Sequence, residues 1–434
     1  MILRWVRGVV AVALLGAVAP AGAVVTGSIF GPGTATIPIA VVPVDDQGGA
    51  RQEAARFAEV LQRDLELSGY FHQLAVGTFP ERPPSLGLTA AETDFPAWQL
   101  AGAQAVVKGA MRRAGGELVA DLHMFDVGSR TEIAVLSRRL QGQSGDVPRM
   151  AHRYADRILE HLTGTLGPFD SEIVFTSTRG GGLKSLYGFD FDGGQPRRLT
   201  DDGSLTLAPR WHPSGRRILF TSYREHVPRL FDLDLGTGRV RRALQTTAVL
   251  LNGAWSPDGS MLLVSRETDG NSDIYLLDRS GKVLRRLTDH WSIDVSPAWA
   301  PDGRRFAFCS ARAGAPQIYT MNIDGTGLQR VSYRGTYNTS PSWAPVGDRI
   351  AYVTREAGFQ VVVVGADGTG ARTITQGGTN EDPSWAPDGR YLVFSGRRGG
   401  RRSLVFTDRE GRFQKELTTG RGDDTSPAWS ARRE

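Results

Sequence analysis

The chain has 434 residues, of which 40% are hydrophobic and 22% charged, with 53 glycines and one cysteine. This length predicts two or more domains, and the composition is that of an ordinary soluble globular protein. The net charge is only +5. Because the basic residues form no long block and match no known module, a nucleic-acid partner is not expected.

The first 23 residues have the form of a secretory signal peptide. Arg4 and Arg7 supply a positive segment, Val9 to Val18 is a short apolar run, and Ala21-Gly22-Ala23 is a small-x-small cleavage site. The apolar run is short for a membrane span. We therefore expect an exported chain that starts at Val24 and does not insert into a membrane. An uncleaved anchor is the alternative.

Residues 24–33 follow the cleavage site and contain Gly27, Gly31, Pro32 and Gly33. A glycine- and proline-rich terminus is poorly ordered unless something holds it. The segment is therefore predicted to be a flexible N-terminal arm.

Residues 34–165 carry no repeat and predict a small α/β domain. Thr36 to Val44 is typical of a strand, and Arg51 to Ser68 of an amphipathic helix that Gly69 ends. Further elements are predicted as strands at Ala105–Gly109, Glu117–Phe125 and Glu132–Leu136, a hairpin turn at Gly115-Gly116, and a helix at Asp146–Leu162. The boundary is expected at Leu166 to Phe169.

A tryptophan repeat dominates the remaining chain. Its members are Trp211, Trp255, Trp299, Trp343, Trp385 and Trp429, at spacings of 44, 44, 44, 42 and 44 residues. The first five open a Trp-x-Pro-x-Gly phrase, which is typical of a tight turn. A strand pattern follows each turn, and a repeat of this length with several short strands is typical of a β-propeller blade.

The repeat also predicts how the ring closes. A strand pattern at Ile173 has no tryptophan of its own, and Trp429 has no strand after it. Six tryptophan segments and six following strands therefore pair with an offset of one. We expect residues 166–434 to form an all-β, WD40-like six-bladed propeller in which the Trp429 segment completes the blade that starts at Ile173.

Motifs for catalysis, cofactors or metals were not found. The chain has no G-x-S-x-G elbow and no His or Cys cluster with metal-ligand spacing. Cys309 lies in an apolar strand pattern and is expected to be buried, while His212 and His290 are expected to form hydrogen bonds. The Asp-Gly pairs recur with the blades, which indicates turns. No catalytic, cofactor-binding or metal-binding residue is therefore predicted.

The segments before the tryptophans are the candidate binding residues. In a propeller, equivalent segments gather around one mouth of the central channel, and here they are small, polar and largely acidic. The candidates are Asp294, Ser296, Asn338, Thr339, Glu381, Asp382, Asp424 and Thr425. They suit a hydrogen-bonding surface for a protein or peptide, although solvated turns are the alternative.

The chain as a whole resembles the TolB family of the Tol–Pal system of Gram-negative bacteria. In the first domain the resemblance rests on short phrases, which are Asp64-Leu65, Ser68 to Phe71, Trp98 with Gly102-Ala103, Ala151-His152 with Asp156, and Leu162 to Gly164 with Gly167 and Phe169. In the second part it rests on the Trp-x-Pro-Asp-Gly phrases, which other exported propellers share.

The resemblance implies a non-enzymatic periplasmic scaffold without cofactors. Proteins of this family bind the peptidoglycan-associated lipoprotein Pal at the propeller mouth and TolA through the N-terminal arm, and other outer-membrane proteins are further candidate partners. The system supports outer-membrane integrity and constriction during cell division. Carried over, the TolA-binding residues are Val24, Val25, Ile29 and Phe30, and the mouth residues form the Pal surface. The arm lacks the family's usual acidic and aromatic character.

A second hypothesis is an exported propeller hydrolase or lyase that acts on a carbohydrate. Its motivation is the acidic character of the mouth segments, because carboxylates from different blades can converge across one glycosidic bond. The sequence does not decide between a scaffold and such an enzyme.

Overall fold

The structure is a computed structural model that describes residues 36–84, 86–191, 195–201, 203–420 and 422–433. The predicted signal peptide (1–23) and the predicted arm (24–33), with Val24, Val25, Ile29 and Phe30, lie outside the described residues. No helix among the described residues is long and apolar enough to cross a membrane.

The N-terminal domain is an α/β layer structure. Its elements are β1 (Ile37–Val41), β2 (Asp45–Asp46), α1 (Arg51–Leu67), β3 (Phe71–Gln73), α2 (Phe95–Leu100), β4 (Ala105–Ala114), β5 (Glu117–Asp126), β6 (Thr131–Glu132), β7 (Arg138–Gly142) and α3 (Val147–Thr163). The sheet has the order β3-β1-β4-β5-β6, with β2 beside β4 and β7 beside β5. Helices α1 and α3 contact each other, and their apolar sides share one buried core with the sheet.

The two long helices form where the periodicity predicts them. The apolar face of α1 is buried, and Gly69 with φ of 75° follows its end. Gly164 ends α3 in the left-handed conformation with φ of 73°, where a Cβ atom would be strained. The hairpin turn at Gly115-Gly116 joins β4 to β5, as predicted.

The prediction of a strand over Glu132–Leu136 is wrong. Strand β6 ends at Glu132, and residues Ala134–Leu136 form a 3₁₀ turn. A strand would alternate its side chains between two faces, whereas the turn leaves Val135 exposed and buries Leu136 in the core beside α3. Burial of one leucine therefore outweighs the local β-propensity of this apolar segment. The short elements β3, α2 and β7 were not predicted.

The remaining chain forms six four-stranded antiparallel sheets, here called blades 1 to 6. Blade 1 contains β8 (Glu172–Ser177), β9 (Ser185–Asp190) and β10 (Arg197–Arg198); blade 2 contains β11 (Thr206–Trp211), β12 (Arg217–Ser222), β13 (Arg229–Asp234) and β14 (Val240–Arg242); blade 3 contains β15 (Val249–Trp255), β16 (Met261–Thr268), β17 (Asn271–Asp278) and β18 (Val283–Arg286). Blade 4 contains β19 (Asp294–Trp299), β20 (Arg305–Ser310), β21 (Gln317–Asn322) and β22 (Gln329–Arg330); blade 5 contains β23 (Asn338–Trp343), β24 (Arg349–Arg355), β25 (Phe359–Gly365) and β26 (Arg372–Thr373); blade 6 contains β27 (Thr379–Trp385), β28 (Tyr391–Arg398), β29 (Arg401–Asp408) and β30 (Gln414–Glu416).

The last strand, β31 (Asp424–Trp429), completes blade 1. It pairs antiparallel with β8 and places Trp429 opposite Ile173. The side chain of Trp429 also donates a hydrogen bond from Nε1 to Ser171 Oγ at 2.8 Å. The predictions of six blades and of closure by the Trp429 segment are confirmed, and the closure pairs the two terminal edges of the ring with each other.

The inner strands of the blades surround a central channel and run in the same direction along it. We call the end at which these strands begin the polar mouth, since the predicted binding segments lie there. We call the end at which each strand finishes in a tryptophan the tryptophan mouth. Every candidate residue of the propeller therefore lies at the polar mouth or just inside the channel.

The N-terminal domain packs on the tryptophan-mouth side of blades 6 and 1. Lys415 donates to the carbonyl of Glu66 at 2.7 Å, and Arg390 donates to the carbonyl of Thr165 at 3.1 Å. One buried hydrophobic core contains residues of both domains, among them Phe57 of helix α1 and Trp429 of the propeller. The polar mouth thus lies at the end of the channel opposite the N-terminal domain.

Candidate functional site

Buried carboxylate or amide side chains lie at the start of the inner strands of four blades. They are Asp294, Asn338, Asn380 and Asp424. Each follows a loop of the polar mouth and occupies the same place in its blade, where the chain enters the inner strand. A buried polar group must find hydrogen-bond partners, so the partners of these side chains decide what the positions do.

The two aspartates form ion pairs within their own blades. Asp294 accepts from Arg312 Nη2 at 2.9 Å, and the Arg312 guanidinium lies over the Phe308 ring, 5.3 Å from its centroid. Blade 1 repeats the arrangement, because Asp424 pairs with Arg179 and also accepts from Ser177 Oγ at 2.5 Å. These carboxylates connect the inner strand to the loop that follows the second strand. They lie beneath the surface of the mouth and stabilise its loops.

Asn338 and Thr425 have similar internal partners. The Asn338 amide donates to Gln317 Oε1 at 2.7 Å and to the carbonyl of Arg334 at 2.8 Å. The hydroxyl of Thr425 lies 2.9 Å from that of Thr176 on the neighbouring strand. Both residues are buried, so a partner at the surface would not touch their side chains, whereas Thr339 is half-buried.

A second ring lies two residues further along each inner strand and lines the channel. Its members are Ala208, Asn252, Ser296, Ser340, Asp382 and Ser426, and they enclose a cavity of about 100 Å³. Asp382 accepts from Ser426 Oγ at 2.9 Å and Asn252 accepts from Ser265 Oγ at 2.6 Å. Of the predicted site residues, this ring contains Ser296 and Asp382.

Backbone strain accompanies this ring. Ala208, Ser296, Ser340, Asp382 and Ser426 have positive φ between 49° and 58°, and the strand register shifts at each of these positions. A residue other than glycine costs on the order of 1 kcal/mol in the left-handed region, and bulges are common near functional sites because they redirect side chains. Repetition of the bulge turns one alanine, serine or aspartate side chain of each of these five strands toward the channel.

Arg210 breaks the pattern of small residues beside the ring. Its equivalents in the other blades are Ala254, Ala298, Ser342, Ser384 and Ala428. Burial lowers the pKa of Arg210, and the charge of Asp382 opposes this effect. The guanidinium donates to the carbonyl of Pro209 at 2.9 Å. Arg210 and Asp382, the one carboxylate among the ring residues named above, both line the channel.

The polar mouth is mixed in charge, which differs from the acidic character expected from its segments. Glu381 Oε2 lies 2.5 Å from Arg402 Nη1, and both side chains are partly exposed. Lys184 lies beside this pair, and burial together with the charge of Arg402 lowers its pKa. With Asp294 and Asp424 also paired to arginines, the expected excess of negative charge is matched by cations that lie elsewhere in the sequence.

Exposed apolar side chains also lie at the polar mouth, and the sequence patterns did not predict them. Trp291 is 80% exposed and Ile293 is 51% exposed, directly before Asp294. Tyr337 is also exposed at the equivalent place before blade 5. Trp291 is one of the few tryptophans outside the repeat, and this departure from the period is the signal that could have identified it.

The remaining predicted positions have structural roles. The prediction that Cys309 is buried is confirmed, and burial raises the pKa of its thiol to about 12. His212 and His290 each lie within hydrogen-bond distance of a serine hydroxyl, at 2.9 and 2.8 Å. Within the described ranges no cluster of three His, Cys, Asp or Glu side chains could hold a metal ion.

Comparison with protein-family models gives two matches that agree with the two domains. The TolB amino-terminal domain matches residues 26–133, and the TolB beta propeller domain matches residues 159–433. The chain belongs to the TolB family. Proteins of this family are non-catalytic components of the Tol–Pal system of the periplasm, so the carbohydrate-acting enzyme is not retained.

Curated relatives carry the name Tol-Pal system protein TolB. The protein of Desulfosudis oleivorans is 38% identical over 198 residues, which is 45% of this chain and 44% of the relative. That of Syntrophotalea carbinolica is 38% identical over 193 residues, or 44% of each chain. The matched region thus spans less than half the length of these relatives.

A solved structure agrees over nearly the whole length. The crystal structure of TolB from Acinetobacter baumannii matches with a TM-score of 0.80 and 26% identity, covering 92% of this chain and 97% of that one. The order of the two domains is therefore shared along the chain, in addition to the propeller fold.

Proposed function

We propose that this TolB-family chain is a periplasmic scaffold that holds the lipoprotein Pal at the polar mouth and TolA through residues 24–33. Cleavage after Ala23 releases the chain into the periplasm. By joining a protein of the outer membrane to one anchored in the inner membrane, the scaffold supports outer-membrane integrity and constriction during cell division. Membership of the TolB family supports a role in the Tol–Pal system. The geometry of the polar mouth supports this mouth as the Pal-binding site.

The observation that carries the proposal is the exposure of Trp291 at the rim of the polar mouth. A tryptophan that is 80% exposed has most of its apolar surface in water. Interfaces concentrate their binding energy in a few residues, among which tryptophan is enriched, and a polar rim surrounds such anchors. Ile293 extends the apolar surface, and the Glu381–Arg402 pair supplies the polar rim.

The predicted Pal residues divide into two groups in this proposal. Thr339, Glu381, Ser296 and Asp382 are partly accessible at the rim or in the channel and make direct contacts. Asp294, Asn338, Asp424 and Thr425 are buried and act by shaping the loops. Trp291 and Ile293 join the first group as anchors.

The test is the affinity of the mature chain for the periplasmic domain of Pal, measured by calorimetry. Trp291→Ala should weaken binding by about 2 kcal/mol or more, roughly 30-fold. Leu100→Ala is the matched control, because Leu100 is an exposed apolar residue of the N-terminal domain and should have no effect. Equal loss of affinity in both variants, or no binding by the parent protein at micromolar concentration, would falsify the proposed site.

The TolA contact needs a separate experiment. Deletion of residues 24–33 should abolish capture of the periplasmic domain of TolA and leave Pal binding intact. Substitution of Ile29 and Phe30 by serine should have the same effect if the arm binds by its apolar side chains. Retention of TolA binding after the deletion would contradict the arm as the contact.

A further inference from the structure

A cleft of about 470 Å³ opens on the tryptophan-mouth side, away from the polar mouth. Helix α3, strand β8, the turn after Trp211 and the last described residues of the chain form its walls. Its volume lies in the range of about 300–1,000 Å³ typical of ligand sites. We call it the arginine cleft, because Arg149, Arg216, Arg432 and Arg433 line it.

Carboxylates already pair with part of this positive charge. Arg433 contacts Asp170 at 2.9 Å, Glu172 at 3.2 Å and Asp190 at 2.8 Å. Arg149 also pairs with Asp170, at 3.2 Å. Arg149 and Arg433 are therefore already paired with carboxylates of the chain itself.

Arg432 has a different environment. Its guanidinium donates to the carbonyls of Gly167 at 2.7 Å and Leu166 at 2.6 Å, which fixes its position. A guanidinium has five N–H donors, and among the described residues no carboxylate forms an ion pair with this one. Burial raises the pKa of Asp156 and of Asp388, and the charge of Arg432 acts on both at longer range and opposes this rise.

The propeller repeat explains why Arg216 has no carboxylate partner. In blade 6 the turn after the tryptophan contains an aspartate, and Asp388 accepts from Arg390, the equivalent of Arg216, at 2.8 Å. Blade 2 has Ser214 at the same place in its turn. The exposed Arg216 guanidinium therefore has no ion-pair partner among the described residues.

An aromatic side chain, that of Trp211, lines the cleft beside these cations. Trp211 is half-buried, whereas the tryptophans of blades 4, 5, 6 and 1 are buried. Its Nε1 donates to the carbonyl of Ala428 at 2.9 Å, which holds the indole in place. Pro213 continues the apolar surface along the turn.

We propose that the arginine cleft binds an acidic peptide segment of a partner protein. One carboxylate of the segment lies between Arg216 and Arg432, and a neighbouring apolar side chain packs on Trp211. Guanidinium groups suit this role because they bind carboxylates in a bidentate geometry and also stack on aromatic rings. The predicted arm of this chain is not the occupant, since residues 24–33 contain neither Asp nor Glu.

The experiment measures binding of a fluorescein-labelled acidic pentapeptide, Asp-Glu-Trp-Glu-Asp, by fluorescence anisotropy with the mature chain. A peptide with lysine in place of every acid serves as the counterpart. The acidic peptide should bind and the lysine peptide should not, and the affinity should fall as salt screens the charges. No binding of the acidic peptide would overturn the proposal.

Two charge-reversal variants locate the site. Arg216→Glu should weaken binding about tenfold or more, because it places a like charge beside the ligand carboxylate. Arg304→Glu is the matched control, since Arg304 is exposed at the equivalent position of blade 4 and should bind the peptide like the parent. Equal weakening in both variants would indicate a nonspecific charge effect and overturn the site.

Two further outcomes separate the alternatives. If inorganic phosphate at the same concentration displaces the labelled peptide as well as unlabelled peptide does, the cleft is a small-anion site and the proposal fails. Trp291→Ala should leave peptide binding unchanged, and Arg216→Glu should leave Pal binding unchanged. Failure of this proposal is thereby distinguishable from failure of the polar-mouth proposal.

Discussion

Tyr391 of blade 6 donates its phenolic hydrogen to the backbone carbonyl of Ser68, 2.8 Å away, and so joins the propeller to the end of helix α1. Both residues are buried. Burial raises the pKa of Tyr391 well above its usual value, which keeps the hydroxyl protonated as a donor. The carbonyl at the helix end thus has a partner in the other domain.

Removal of this hydroxyl should weaken the contact between the domains. Tyr391→Phe leaves the Ser68 carbonyl without that bond, and we expect a loss of about 1–2 kcal/mol in the free energy of unfolding. Tyr352→Phe is the matched control, because within the described chain the buried Tyr352 hydroxyl has no hydrogen-bond partner. Denaturant unfolding of both variants checks the prediction, and equal effects would contradict it.

Asp156 should make the stability depend on pH. It accepts from the backbone N–H groups of Phe169 at 2.8 Å and Asp170 at 3.1 Å, in the linker between the domains. Burial nevertheless raises its pKa to about 7, and the charge of Asp64 adds to the effect. Because the folded state holds this proton more tightly than the unfolded state, the contribution is fully present below pH 3.8 and is lost as pH rises to about 7.

The loss amounts to roughly 4 kcal/mol. Asp156→Asn carries no titrating proton, so its free energy of unfolding should fall less steeply than that of the parent between pH 4 and pH 7. Unfolding curves across this range provide the measurement. Parallel pH profiles for the two proteins would show that Asp156 does not titrate there.

Lys108 is a fully buried cation that holds the segment before α2 in place. It pairs with Glu81 and donates to Thr93 Oγ1 at 3.0 Å and the Gly87 carbonyl at 3.2 Å. Lys108→Met leaves Glu81 without its buried partner, which typically costs about 3–5 kcal/mol.

The exposed pair Arg56–Glu59, at 3.0 Å, provides the comparison. Arg56→Met should cost less than about 1 kcal/mol. Thermal unfolding of both variants tests the difference, and a Lys108→Met protein as stable as Arg56→Met would refute the structural role of the buried pair.

Trp429 and Trp291 are expected to have opposite roles although both lie in the propeller. Trp429 is buried in the closing strand, within 5.3 Å of Phe191 between ring centroids. Trp429→Ala should destabilise the chain by about 3–5 kcal/mol. Trp291→Ala removes an exposed ring and should change stability by no more than about 0.5 kcal/mol. The melting temperatures of the two variants test this difference in stability.

Cys309 should be unreactive in the folded chain. Its thiol is buried and its pKa is raised to about 12, so the reactive thiolate is scarce at neutral pH. A thiol reagent at pH 8 should label the protein only after denaturant is added. Rapid labelling of the native chain would mean that the blade opens locally at β20.

The tryptophan period, together with the strand pattern at Ile173, predicted the six blades and their closure by Trp429, because each blade repeats the same turn and strand chemistry along the chain. Helices α1 and α3 were equally predictable from their apolar faces. The short 3₁₀ turn at Ala134–Leu136 was not, since burial of Leu136 against α3 depends on an element that comes later in the sequence.

The candidate site likewise has features that the sequence predicted and features that only the tertiary structure decided. Local sequence placed Asp294, Asp424 and Glu381 at one mouth, because equivalent strand starts meet there. It could not show that Arg312, Arg179 and Arg402 neutralise them, since each arginine lies in another loop or strand of the same blade and reaches its partner only after the sheet forms. Exposure of Trp291 was also decided by tertiary structure, because burial depends on which neighbours fold over a side chain and not on its own identity.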